Sequence, residues 1–182
     1  VDFQERITQR EGWEILSQPF YDSAVYPVAG SHGLDFFCYP AGSVVHGEIK
    51  TPADTNIETV MMPADREFLI RSISVDFHSM AHGFGDDAAN FYRSGYLRLL
   101  IGSRSYLSLP LSRFIPKLNP PLAAIFVSGG PYDLGGAPLL VRSHQSFCVS
   151  ALWPKGLQPI ANPARVTVYL GGVLYRRGAS YV

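Results

Sequence analysis

Charge is scarce in this chain. Asp, Glu, Lys and Arg make up 16% of its 182 residues, against roughly 25% in an ordinary globular domain. So little charge for so much surface points to a surface partly covered by other chains. Lysine is scarcer still: Lys50, Lys117 and Lys155 are the only three among 15 cations. Those cations are balanced by 15 acids, so there is no basic excess to draw nucleic acid onto the whole surface. The arginine bias fits interfaces, because a planar guanidinium makes several bonds at little ordering cost.

Cysteine is nearly absent. Cys38 and Cys148 could form at most one intrachain disulfide, and both sit in apolar, strand-like runs. Two buried free thiols are therefore expected. The chain has no run of about 18 apolar residues, which excludes an apolar membrane-spanning helix, and no signal-peptide pattern. Catalytic and phosphate-binding motifs are missing too. There is no G-x-S-x-G elbow, no G-x-x-x-x-G-K-[ST] loop and no G-x-G-x-x-G. The glycine pairs at 129–130, 135–136 and 171–172 lack the strand-to-helix context of a phosphate site.

What the chain has is aromatics, proline and glycine. Aromatic residues reach 13%, with 14 prolines and 17 glycines, a composition of many short strands joined by turns. The clearest stretch runs from Arg66 to Phe114. In its first half Leu69, Ile73, Val75 and Phe77 alternate with Phe68, Ser72, Ser74 and Asp76, as on a strand with one dry face. Arg71 interrupts the dry face and Ile70 the wetter one. In its second half, Tyr96 to Ile101 and Arg104 to Leu109 flank Gly102-Ser103, which predicts a hairpin. Pro110 ends the second strand or places it at a sheet edge.

Elsewhere, residues 1–18 are the best helix candidate, with Phe3, Ile7, Trp13 and Leu16 as a loose apolar stripe and capping-box spacing at Asp2 and Glu5. Such a segment would pack beneath a sheet or reach a neighbouring subunit. Residues 19–33 read as turn-rich. Strands are expected at 34–39, 44–49, 56–62, 122–127, 139–142, 147–153 and 166–175, with Gly171-Gly172 as a bulge, bend or turn. The connection 78–95 holds a short helix, capped by Asp86 or Asp87 and ended by Gly95. The expected organisation is an N-terminal helix or arm at 1–18 and one domain at 19–182. That domain is all-β, a single jelly-roll β-sandwich of eight or more antiparallel strands; an immunoglobulin-like sandwich or a closed barrel stays open.

Side chains that could carry chemistry are few. His78 and His82 are four apart, a metal-ligand spacing on a helix, but Gly83 and Gly85 argue against a regular helix there. His46 with Glu48 is the nearest thing to a cupin-like fragment. Asp22, Asp35, Asp76 and Glu58 have nothing local that pairs them. Arg93, Arg98, Arg104 and Arg113 cluster in and after the central hairpin, with Tyr92, Tyr96 and Tyr106 interleaved, and Arg165, Arg176 and Arg177 cluster near the C-terminus. That interleaving suits either a single-stranded nucleic-acid surface or a solvated, subunit-facing sheet edge. No residue is assigned as catalytic, cofactor-binding or metal-ligating, and no enzyme activity, cofactor or small-molecule substrate is expected.

The stretches FYDSAVYPVAGSHGLDFF at 20–37, EFLIRSISVDF at 67–77, GYLRLLIGSRSYLSLPLSRF at 95–114 and RVTVYLGGVLYRRG at 165–178 carry a resemblance. In length, aromatic strands, proline-rich loops and low charge, the chain resembles the small single jelly-roll capsid proteins of tailless, icosahedral bacteriophages. The resemblance implies a structural protein made in a host cytoplasm and located in the virion. Its partners would be copies of itself and other capsid proteins, with an internal membrane or the packaged genome beneath the shell. The mixed charge of the N-terminus (Glu5, Glu11 and Glu14 beside Arg6 and Arg10) departs from the basic, genome-facing arm of many coat proteins. The alternative function is a β-sandwich receptor- or carbohydrate-binding module, a spike or decoration protein, with aromatic loops at 20–39 and 78–95 stacking on sugars.

Overall fold

The computed structural model describes residues 12–79, 85–114, 126–128, 130–156 and 158–178. Among them are thirteen strands. In chain order these are β1 (Trp13–Leu16), β2 (Phe20–Tyr26), β3 (Gly33–Phe36), β4 (Val44–Val45), β5 (Glu48–Ile49), β6 (Arg66–Ser79), β7 (Tyr96–Ile101) and β8 (Arg104–Pro110), then β9 (Phe126–Ser128), β10 (Tyr132–Asp133), β11 (Leu139–Val141), β12 (Phe147–Leu152) and β13 (Ala164–Arg177). One helix, α1 (Gly85–Arg93), precedes β7, and a 3-10 turn, Leu111–Phe114, follows β8.

Eleven of the strands form two antiparallel sheets, and β4 and β5 pair separately as a small hairpin. The first is built on the long strands β6 and β13, paired along their whole length. The other edge of β13 pairs with β2 and then β1, and the other edge of β6 pairs with β9, β10 and β11 in turn. It is thus four rows wide, with both outer rows broken into short pieces. The second sheet has the order β3-β12-β7-β8. Ile73, Val75, Phe77, Val166, Val168 and Leu170 of the first sheet share one buried cluster with Leu97, Leu99, Ile101, Phe147, Val149 and Ala151 of the second. The protein is all-β, as the sequence predicts, with its core between the sheets.

The imperfect alternation of β6 has a structural cause. Ser72 pairs with Gly171 and Ile70 with Gly172, which leaves Arg71 as an extra, unpaired residue. A bulge of one residue reverses the facing of everything beyond it. Ile73, Val75 and Phe77 therefore face the main core on one side of Arg71, and Phe68 and Ile70 on the other. Leu69, expected on the dry face with Ile73, is turned out and packs with Tyr175, Trp13, Leu140 and Val173 on the opposite face of the sheet. The carbonyl of Arg71 accepts from the Leu134 N–H at 2.8 Å. Gly171-Gly172 is the other half of this bulge, because a Cβ on Gly172 would collide with the Leu69 carbonyl oxygen.

Several expectations need correction. Trp13–Leu16, placed in a helix over 1–18, is a strand paired with Leu174–Arg177; residues 1–11 lie outside the described residues. The supposed turn region 19–33 contains the seven-residue β2, with Phe20, Asp22, Ala24 and Tyr26 on the inward face. The run 44–49 is a two-stranded hairpin, not one strand. Residues 56–62 form no strand and are held by single bridges of Thr55 to Asp22 and Met61 to Ser146. The predicted strand at 122–127 is described from Phe126 on, as β9, while 122–125 lie outside the described residues. Of the two expected helix caps, the side chain of Asp86 lies outside the description, and the Asp87 carboxylate reaches across to accept from the Ala161 and Asn162 N–H groups at 2.8 and 3.3 Å. Finally, Cys38 and Cys148 are joined in a disulfide with their Cα atoms 5.7 Å apart, inside the range such a bond needs. They are not free thiols.

The hairpin β7–β8 forms as predicted around Gly102-Ser103, with β8 at the sheet edge and Pro110 at its end. Helix α1 closes one end of the sandwich. Phe91 lies 5.4 Å from Tyr26, 5.1 Å from Phe77 and 5.2 Å from Trp153 between ring centres. The Trp153 indole N–H donates to the Phe91 carbonyl at 3.0 Å. Tyr92 donates to the Val75 carbonyl at 2.8 Å, in the gap that β9 and β10 leave along β6.

Candidate functional site

The side chains suspected of chemistry do not converge. His78 is exposed near the end of β6, opposite Arg165; its proposed partner His82 lies outside the described residues. His46 occupies the turn between β4 and β5 with φ +51°, and Glu48 begins β5. Among the described residues no group of three His, Cys, Asp or Glu side chains is placed to hold a metal ion. The four acids are also apart. Asp35 accepts from the Ser150 hydroxyl at 2.6 Å, Glu58 lies 3.3 Å from Arg66, and Asp76 sits opposite Thr167 on the first sheet.

Asp22 is the one fully buried acid of the four. Its carboxylate is paired with the ammonium of Lys50, and it accepts from the Phe37 N–H at 2.6 Å and the Ser23 N–H at 3.1 Å. Burial pushes its carboxyl above the usual carboxylate range, opposed by Lys50, the Phe37 N–H and Thr55. These contacts make the pair an anchor. It fixes the connection 37–65 to the inner face of β2.

The arginines do not form one stripe with the tyrosines. Tyr92 is in the core. Arg165 is 3.0 Å from Asp54, and Arg176 is 2.6 Å from Glu14. Arg98 is paired in the second sheet with Ser150 on one side and Ser108 on the other.

Two surface features that sequence reasoning missed stand out. The first is the hairpin β4–β5. Its turn residues His46 and Gly47 both have positive φ, +51° and +87°, which is the backbone of a two-residue hairpin turn matched to strand twist. Its flanking residues Val44 and Ile49 are 66% and 64% exposed, the two most exposed large apolar residues among those described. They lie opposite each other in register. Its base is rigid. The Lys50 N–H donates to Ser43 and the Gly42 N–H to Lys50, at 2.9 and 2.8 Å, while Lys50 itself is tied to Asp22 and Cys38 to Cys148. The segment that follows lies along the open edge of β2, through Ser23 N–H to Asp54 and Asn56 N–H to Tyr21.

The second feature is a cleft of about 510 Å³, lined by Tyr106, Ala137, Pro138, Leu139, Leu140 and Arg142 among others. It lies between the outer edge of β8 and the outer row of the first sheet. Tyr106 is the extra residue of a bulge, since Leu99 pairs with Leu107 and Leu100 with Ser105. That bulge turns its ring outward, 48% exposed.

No known protein family and no curated protein matches this chain.

Proposed function

We propose that this chain is a jelly-roll subunit of a protein shell, a viral coat protein that assembles with copies of itself. The observation that carries the reading is the strand order. Counting β1 with β2 and β9 to β11 as single rows, and leaving aside the small hairpin β4–β5, the two sheets contain eight rows. Numbered along the chain, they stand in the order 1-8-3-6 and 2-7-4-5. Rows 1 and 8, 2 and 7, 3 and 6, and 4 and 5 are all antiparallel neighbours. That is a single folded ribbon of four pairs, rolled so that pair 1·8 lies beside 3·6 and pair 2·7 beside 4·5. This order supports the jelly-roll reading.

Surface chemistry supports the same reading. Ions are few, and several are consumed within the chain: Lys50 by Asp22, Asp54 by Arg165, Glu58 by Arg66 and Glu14 by Arg176. Large apolar side chains remain exposed, as permanent interfaces require. In this reading the chain's partners are its own copies, it resides in the virion, and it has no catalytic role. The test is the particle size of the purified protein by light scattering and negative-stain electron microscopy. Closed, uniform shells tens of nanometres across are expected, alone or with the other shell proteins. A discrete small oligomer with affinity in a glycan screen overturns the proposal in favour of a receptor-binding module.

A further inference from the structure

We infer that neighbouring copies associate head to tail, the β4–β5 hairpin of one copy entering the Tyr106 cleft of the next. This rests on the shell-subunit reading and names the contact that would build its rings. The hairpin and the cleft lie on opposite lateral sides of the sandwich. On one side β2 is the edge row of the first sheet and β3 of the second; Asp22 of β2 accepts from Phe37, just past β3, and the hairpin is anchored there. On the other side β8 and the row of β9 to β11 are the edges, and the cleft lies between Tyr106 and Leu139–Leu140. A projection on one side and a hollow on the other cannot meet within one chain. Between copies they give a heterologous contact, which closes into a ring when the rotation per copy allows.

Shape and chemistry agree. The projection presents two aliphatic side chains on a two-residue turn, and the cleft is large enough for both together with the turn backbone. Glu48 is the one residue among Asp, Glu, Lys and Arg from Cys38 to Ile49, and Arg142 is the charged residue of the cleft lining, so these two charges are opposite in sign. The hairpin base is pinned by a disulfide and a buried ion pair, so docking orders little that is not already ordered. A two-stranded hairpin of this size is marginal by itself and gains from being covered.

The test uses two variants of the whole chain. Val44→Asp with Ile49→Asp spoils the projection and leaves the cleft intact. Ala137→Trp fills the cleft and leaves the projection intact. All three positions are exposed, and unchanged thermal melting verifies that both variants fold; Val44→Ser with Ile49→Thr replaces the first variant if the aspartates loosen the hairpin. By sedimentation velocity, each variant alone is expected to self-associate more than about tenfold more weakly than the parent. Mixed, they form a one-to-one complex that grows no further, because one good projection meets one good cleft. Undiminished association of Ala137→Trp, or no complex on mixing, overturns the head-to-tail contact while the shell reading stands. A parent chain that stays monomeric both alone and with the other shell proteins sinks both.

Discussion

Lys50 and Asp22 show how a single side-chain pair organises a long stretch of chain. Each is buried, and each is the other's counter-ion. Removing one partner of such a pair strands the other charge, at about 3–5 kcal/mol, whereas removing both is often neutral. Lys50→Met is therefore expected to lower unfolding free energy by about 3–5 kcal/mol at neutral pH, and adding Asp22→Asn to recover most of it. The sign of the pH dependence follows from burial, which already raises the Asp22 carboxyl above its ordinary 3.8. Without Lys50 it rises further. A raised native value means that the penalty is present above it and fades as pH falls through it, because the protonated carboxyl needs no cation. Denaturant melts of Lys50→Met between pH 7 and 4 check this; a penalty independent of pH refutes it. Gly172 is a second single-residue constraint. Alanine there would drive its methyl into the Leu69 carbonyl across the bulge, and a stability loss of about 1–3 kcal/mol is expected. Gly136→Ala, with open space around it, is the matched control.

At the scale of elements, the readable strands were those whose inward faces are wholly apolar. Strand β12 buries Phe147, Val149 and Ala151, and β7 buries Leu97, Leu99 and Ile101, so alternation alone located them. Strand β2 was hidden because Asp22 occupies an inward position that Lys50 neutralises from 28 residues away. Strand β1 reads as helix in the sequence because its pairing partner is the far C-terminal strand, and no local pattern reports that. The hairpin β4–β5 reads as one strand because its turn is only two residues, His46 and Gly47. The cleft was invisible for a different reason: it is formed by the edges of two sheets, and no contiguous stretch contains it. The disulfide was equally unreadable, since its cysteines are 110 residues apart and become neighbours only when Phe36 pairs with Val149. It closes a long loop, so its loss is expected to cost about 2–4 kcal/mol. The cost should be local in effect. On reduction, or in Cys38→Ser with Cys148→Ser, amide exchange should rise in the connection 39–62 before it rises in the β7–β8 hairpin. Equal acceleration in both would show that the bond steadies the whole sandwich instead.

At the scale of the molecule, the balance of 15 cations and 15 acids decides what kind of force can hold copies together. Salt weakens contacts between exposed charges, since the screening length falls from about 10 Å at 0.1 M to about 3 Å at 1 M. Apolar contacts respond differently: they weaken on cooling and strengthen with excluded salts such as sulfate. Among the described residues the most exposed large apolar side chains are Val44, Ile49 and Met61, and several of the charges are paired within the chain. Association of this protein is therefore expected to survive 1 M sodium chloride, to increase with ammonium sulfate and to fall between 25 and 4 °C. The joint between Glu48 and Arg142 should contribute a minor, salt-sensitive part, because surface ion pairs are worth about 0–1 kcal/mol. Light scattering at fixed protein concentration across these conditions separates the two forces. Dissociation by sodium chloride alone would mean that the interfaces are ionic, and that the apolar hairpin and its cleft are not what joins the copies.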